Sequence, residues 1–246
     1  MDSRTAARTL RGPAEDLPLA LATVHAALPV GARWSASFSG WDPTALHAVI
    51  EGGGFAITGS VATGVTRWRV DAVRVRTLPD YVAPGLRLFV VGLNPSLYSA
   101  DVGVGFARPG NRFWPAALAA GVVTRDRDPW HTVRVDRVGM TDLVKRASVG
   151  AAELTAAEYR AGLARVTRLA EWLRPGAVCF LGLAGWRAAA DKKAVAGVQT
   201  ATLGGVPVYV MPNPSGLNAH DTVATLAAHL RAAVDLAPNL RGCRLH

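Results

Sequence analysis

Residues 86–114 read LRLFVVGLNPSLYSADVGVGFARPGNRFW. The run Leu86 to Val91 is short and largely apolar, and Gly92 closes it. That pattern predicts an inner strand of a mostly parallel sheet. Asn94 follows directly, and Pro95 disfavours helical geometry at Asn94. Asn94 is therefore expected in extended or turn backbone just past the strand's C-terminal end, where open α/β sheets bind ligands. Gly103 and Gly105 permit close backbone approach, Phe106 offers a flat face, and Pro109-Gly110 marks a turn. Asn111 reads as an N-cap for a helix carrying Phe113 and Trp114. Read from the residues alone, the stretch is a strand, a Gly-rich loop and a capped helix that together wall a pocket.

Downstream of this stretch the pattern alternates between strand and helix. Asp126 to Trp130 reads as a polar turn, and Thr141 to Arg146 as a loop or short helix with basic residues. Thr155 and Glu158 form a capping box opening a long helix with Tyr159, Leu163, Val166, Leu169 and Leu173 on one face. Pro175-Gly176 stops it. Ala177 to Leu181 reads as a second buried strand, Gly185 to Val195 as a helix, and Val206 to Met211 as the last strand, entered through a Gly204-Gly205 hairpin. A final helix is expected from Asp221 to Val234. This succession predicts an α/β fold, a three-layer α/β/α sandwich around a small, mostly parallel sheet.

Upstream, residues 1–16 are polar and read as frayed, and residues 17–30 carry a short helical pattern. A strand at Ala32 to Phe38, a helix at Pro43 to Glu51 and two alternating strands at Phe55 to Thr58 and Thr66 to Val75 follow. We read residues 1–85 as an N-terminal α+β appendage with its linker at Thr77 to Gly85, and residues 86–246 as the chemical domain. The appendage weakly resembles the last third of a class I methyltransferase fold but lacks that fold's Gly-rich cofactor loop.

The formal charge is +9 and the sequence pI about 10.5, a balance that favours a polyanionic partner. The basic residues are mostly Arg, so a GC-rich coding bias explains part of the excess. Two cysteines, Cys179 and Cys243, give neither a disulfide framework nor zinc spacing, which fits a reducing cytoplasm. No secretory leader and no membrane-length apolar run is read, and the six His are scattered, so neither metal nor cofactor is expected. HExxH, P-loop and four-Cys cluster patterns are missing from the sequence.

Three patches in fixed order carry a specific likeness: GLNPS through RPGNRFW at 92–114, GMTDLVKR at 139–146, and PNPSGLN at 212–218. Together they resemble the mismatch-specific uracil-DNA glycosylases, bacterial relatives of thymine-DNA glycosylase, over roughly residues 86 to 234. The resemblance implies a monofunctional glycosylase that flips uracil, or thymine or ethenocytosine, from pairs with guanine in double-stranded DNA. It implies Asn94 as the water-positioning residue, Phe106 as the ring stacked on the base, Ser99 near the base edge, and backbone groups at Leu93 and Phe106 reading that edge. Asn111 completes this base-binding wall. Leu217, between Gly216 and Asn218, would be the wedge filling the vacated stack. Asn213 and Ser215 would fix that loop and touch phosphate, and Arg112, Lys145 and Arg146 would contact the DNA backbone. Ala219-His220 stand where the family's enteric member carries a basic residue, which questions how strongly the strand is gripped.

Asp101 departs from the family pattern, which often has an uncharged residue there. Its carboxylate is either a solvated loop charge or a water-activating group beside Asn94. Two other readings stay open: a superfamily glycosylase for deaminated purines such as hypoxanthine or xanthine, and a non-catalytic DNA-binding homologue. A monomer without lyase activity is expected, since nothing marks a Lys as a Schiff-base nucleophile.

Overall fold

A computed structural model describes residues 6–7, 14–218 and 220–237. Most of the segment read as frayed, and Cys243, lie outside the described residues. The central sheet contains β5 (Leu88–Gly92), β6 (Val138–Asp142), β7 (Val178–Leu181), β8 (Gly197–Leu203) and β9 (Val206–Met211). Its order is β6-β5-β7-β9-β8, parallel except for the antiparallel β8–β9 pair.

Alternation along these strands sorts the core onto two faces. Leu88, Val90, Cys179, Leu181, Tyr209 and Met211 pack with α4 (Phe113–Ala119) and α8 (Val223–Asp235). Phe89, Val91, Val178, Phe180, Val208 and Val210 face α6 (Ala156–Leu173) and α7 (Leu183–Ala189). Both faces are therefore covered, giving the three layers expected. The Thr155–Glu158 capping box forms as read, and α6 ends at Arg174 in the left-handed region.

Several local expectations need correction. Thr141 and Asp142, expected in a loop or short helix, end the strand β6, an edge strand buried at every position, with Tyr81 bridging to Met140 along its free side. Residues 126–130 are not merely a turn. Asp128 caps a helix, α5 (Pro129–Arg134), by accepting from the His131 amide, with Pro129 in its first turn. The loop after Asn94 contains a short helix, α3 (Leu97–Val102), capped by Ser96 and closed by Gly103 at φ 74°.

The N-terminal block carries β1 (Ala6–Ala7), β2 (Arg33–Ser39), β3 (Phe55–Gly64) and β4 (Arg67–Arg74), ordered β1-β2-β4-β3. Strand β3 runs on to Gly64, past the expected end at Thr58, while β4 is one residue shorter at each end than the expected Thr66 to Val75. Helices α1 (Leu17–Ala27) and α2 (Pro43–Gly52) cover one side, and Asp42 caps α2. Leu46, Val49 and Ile50 of α2 join the same apolar cluster as Val166 and Leu169 of α6, so this block packs on α6. Its Trp41 ring lies 5.4 Å from Trp172 of α6.

Candidate active site

Parallel strands put their C-terminal ends on one edge. The segments leaving β5, β6, β7 and β9 line a cavity of about 220 Å³ there. It is smaller than sites enclosing drug-sized ligands, which run roughly 300–1,000 Å³, and its scale suits one planar ring system. Among the described residues no group of three or more His, Cys, Asp or Glu is arranged to hold a metal ion.

Asn94 lies on this wall, with its amide fixed. Nδ2 donates to Arg146 O at 3.1 Å, Ser148 Oγ at 2.8 Å and, at 3.2 Å, its neighbour Pro95 O. Two of these acceptors are carbonyls, so the NH₂ side must face them. Oδ1 is left as an acceptor for a water. The neighbouring backbone is stitched to the segment after β6, with Leu143 N donating to Gly92 O and Val144 N to Leu93 O. The Leu93 carbonyl is thus already engaged, and the Leu93 side chain packs toward Gly185.

Phe106 adopts φ 59°, a left-handed conformation costly for a bulky residue, of the order of 1–3 kcal/mol. Three contacts hold it. Trp114 Nε1 donates to Gly105 O at 2.8 Å, the ring packs 4.4 Å from Phe113, and its tip lies over Gly92. Any side chain at Gly92 would meet Asp142 Oδ1 at 2.5 Å and the Phe106 ring at 3.1 Å, so only glycine fits between them. Ser99 is buried, shares a hydrogen bond with Ser96 Oγ and lines the same cavity. Asn111 Oδ1 accepts from Phe113 N at 2.9 Å, capping α4 one residue earlier than a standard N-cap.

The 213–218 loop faces this wall. Asn213 Oδ1 accepts from Ser215 N, Ser215 Oγ from Leu217 N, and Asn218 Nδ2 donates to Asn213 O and Asp221 Oδ2. The polar side chains therefore shape the loop. Gly216 lies against Gly110, where a Cβ would meet Gly110 O at 2.7 Å. Leu217 is left 86% exposed at the cavity mouth, an unusual position for a large apolar residue unless a partner covers it.

Three cations are not placed as the resemblance implied, and Asp101 takes the solvated of its two readings. The Asp101 carboxylate faces the Arg76 guanidinium, accepting from Nε at 2.7 Å and from Nη2, and does not line the cavity. That pairing holds its carboxyl below the usual range. Arg112 donates to the carbonyls of Ser215, Asn218 and Asp221, so it bolts the Leu217 loop to α4 instead of pointing at solvent. Lys145 Nζ is 2.6 Å from Asp80 in a largely buried pair. Arg146 forks onto Glu158, 2.7 Å at the closer contact, and bonds Glu153 O.

Of the lining residues that the sequence reading did not assign, three bear on the chemistry. Arg108 is exposed at the mouth, and among the described residues no side-chain hydrogen bond or ion pair engages its guanidinium. Ser148 locks Asn94. Asp142 ends β6 with its carboxyl toward the cavity, 7% exposed, and burial pushes that carboxyl up to about 6. A buried network lies behind it: Asp80 accepts from Lys145, Arg165 and Thr141, and Arg165 also donates to Asp142 O. Burial alone would raise the Asp80 carboxyl, but Lys145 and Arg165 beside it hold it below the usual range.

Residues 79–237 match the family model described as the uracil DNA glycosylase superfamily. The match begins inside the segment read as linker. Among solved structures, one similar chain is the solution NMR structure of a candidate uracil DNA glycosylase from Methanosarcina acetivorans. It is 19% identical, covers 65% of this chain and 97% of its own length, and superposes with a TM-score of 0.45.

Proposed function

The chain belongs to the uracil-DNA glycosylase superfamily and is a DNA N-glycosylase, and from that premise we propose that it excises uracil paired with guanine in duplex DNA. The observation that carries this reading is Asn94. Its NH₂ group is held by the 146–148 backbone and Ser148, so Oδ1 can orient a water over a base-sized cavity. An amide is a poor base, but it can position water for attack on a sugar that has already gained oxocarbenium character. Phe106 supplies a stacking face, worth about 1–3 kcal/mol per base. The exposed Leu217 suits the role of a wedge entering the stack as the nucleotide swings out.

Asp101, paired with Arg76 outside the cavity, has no part in this proposal. Neither do Lys145 and Arg146 as phosphate contacts; Arg108 takes that place. The products would be free base and an abasic site, the entry point of base excision repair.

Single-turnover cleavage of a labelled duplex with a central G·U pair tests the proposal, with A·U, G·T and G·hypoxanthine duplexes alongside. Cleavage at G·U that falls roughly 10²–10⁴-fold in Asn94→Ala is the expected result. Preference for the hypoxanthine duplex would move the substrate to deaminated purines. Binding without cleavage of any duplex would leave a non-catalytic homologue and overturn the proposal.

A further inference from the structure

The N-terminal block gives no residue to the main cavity, yet one face of its sheet stands open. Alternation puts Trp34, Ala36 and Phe38 of β2 and Val70 and Ala72 of β4 on the buried side, in one cluster with the side chains of α1 and α2. The opposite side carries Arg33, Ser37 and Ser39 of β2 and Arg67 and Arg69 of β4, all exposed. Register sets Arg69 directly across from Ser37 and Arg67 across from Ser39, so guanidinium and hydroxyl face each other along the two strands. On β3, Val61 and Gly64 stand across from Arg69 and Arg67. Among the described residues Val61 is the one large apolar side chain exposed on these strands.

Charge is sorted between the two sides of the block. Among the described residues no side-chain hydrogen bond or ion pair engages the guanidinium of Arg33 or Arg67. Arg69 has a loose, exposed contact of 3.7 Å with Asp71, the one acid on this face, which also accepts from Ser35 Oγ. The other acids, Glu15, Asp16, Asp42 and Glu51, lie on or just before α1 and α2. Resting on the glycosylase reading for its partner, we propose that this open face is a second DNA contact, gripping backbone phosphates of the duplex away from the flipped nucleotide. Arginine guanidiniums and serine hydroxyls bind phosphate oxygens and hold a duplex in place without reading its sequence. The face offers no aromatic ring on which an unpaired base could stack, so it suits the outside of a duplex and not a single strand. It also lacks the apolar cluster that anchors a protein partner.

The test is fluorescence anisotropy of the full chain on a labelled duplex without a lesion, at several salt concentrations, with G·U excision by wild type measured alongside. One triple variant is Arg33→Gln/Arg67→Gln/Arg69→Gln. The control, Arg160→Gln/Arg168→Gln/Lys192→Gln, removes the same charge from exposed positions on α6 and after α7. Each lost phosphate contact lowers the slope of log K against log salt by about 0.9, so the first triple is expected to lower it by about 2–3. The control is expected to keep the wild-type slope, and Ser39→Lys, which adds a cation to the face, to raise it by about 1. Urea unfolding checks that each variant is folded. An unchanged slope in the first triple, an equal fall in both triples, or no rise in Ser39→Lys overturns the proposal. A doubled mass in sedimentation that the first triple abolishes also overturns it, by making the face a contact between two copies of the chain. If wild type cleaves no uracil duplex, the glycosylase reading falls, and the slopes still decide whether this face holds DNA.

Discussion

Replacing Asp142 with Asn has a consequence for stability. A carboxyl whose folded pKa is raised binds its proton more tightly folded than unfolded. Its penalty is absent in acid, grows as pH climbs from the unfolded value near 3.8, and is complete above about 6. A difference of roughly two pKa units corresponds to about 3 kcal/mol at 1.36 kcal/mol per unit. Wild type carries that cost at neutral pH and the Asn variant does not. Urea unfolding of the two proteins at pH 4 and pH 8 measures it. Any constant difference in how the amide packs adds equally at both pH values, so the informative quantity is the change in the gap between them. That change is expected to be about 2–3 kcal/mol in favour of Asn at pH 8, roughly a 1 M shift in midpoint for a slope near 3 kcal/mol/M. A gap that does not change between pH 4 and 8 would mean that Asp142 titrates as an ordinary carboxyl, and that Lys145 and Arg165 offset its burial.

Arg108 and Arg112 should separate cleanly by salt dependence. Arg108→Ala is expected to weaken duplex binding and lower the slope of log K against log salt by about 1, as for one lost phosphate contact. Arg112→Met is expected to slow G·U excision by releasing the Leu217 loop while leaving that slope unchanged; fluorescence anisotropy at four salt concentrations distinguishes them. Asp80→Asn leaves Lys145 and Arg165 as buried cations without their counter-ion, and unfolding at pH 7 should reveal a loss of about 3–5 kcal/mol. The wild-type Asp80 carboxyl is depressed when folded, so its contribution is present above the unfolded value and fades as pH falls through the folded one. The gap between the two proteins should therefore narrow in acid.

What could be read in the sequence was what neighbouring residues decide. An apolar run closed by Gly92, a proline fixing the backbone at Asn94, and a Thr155–Glu158 box are local signals, and each element formed. The loop-fixing bonds of Asn213 and Ser215 were legible for the same reason, since those side chains bond within two residues, while the Asn218 side chain joins the same loop without having been read so. The fate of the cations was not. Lys145 meets an acid 65 positions away, and Arg112 meets three backbone carbonyls more than 100 positions on, and a carbonyl has no signature in sequence. Asp101 was close to Asn94 along the chain, but a helical turn at α3 carries it to the opposite side, toward Arg76. Two signals were present and misread. Asp128-Pro129 is an N-cap followed by a first-turn proline, which marks a helix start. Asp142 sits between Met140-Thr141 and Leu143-Val144, an acid next to apolar residues in a buried stretch, the setting of a perturbed carboxyl.

The buried network also changes how the N-terminal block relates to the site. Asp80 lies in the linker, yet it neutralises Lys145 and Arg165, and its hydrogen bond to Thr141 is one residue from Asp142. Next to it, Tyr81 completes the free edge of β6, and Thr77 Oγ1 donates to Lys145 O. The floor of the cavity is therefore built from both sides of the apparent boundary. The same linker packs against the end of α2, where Gly52 O accepts from Asp80 N at 2.7 Å and a Cβ on Gly52 would collide with the Asp80 carboxylate. Moving α2 would move Asp80, and moving Asp80 would change the charge felt by Asp142. The block at residues 14–76 thus reaches the cavity through α2, Asp80 and β6 without a residue of its own lining it. That is a physical reason for it to stay attached to the segment that matches the superfamily model.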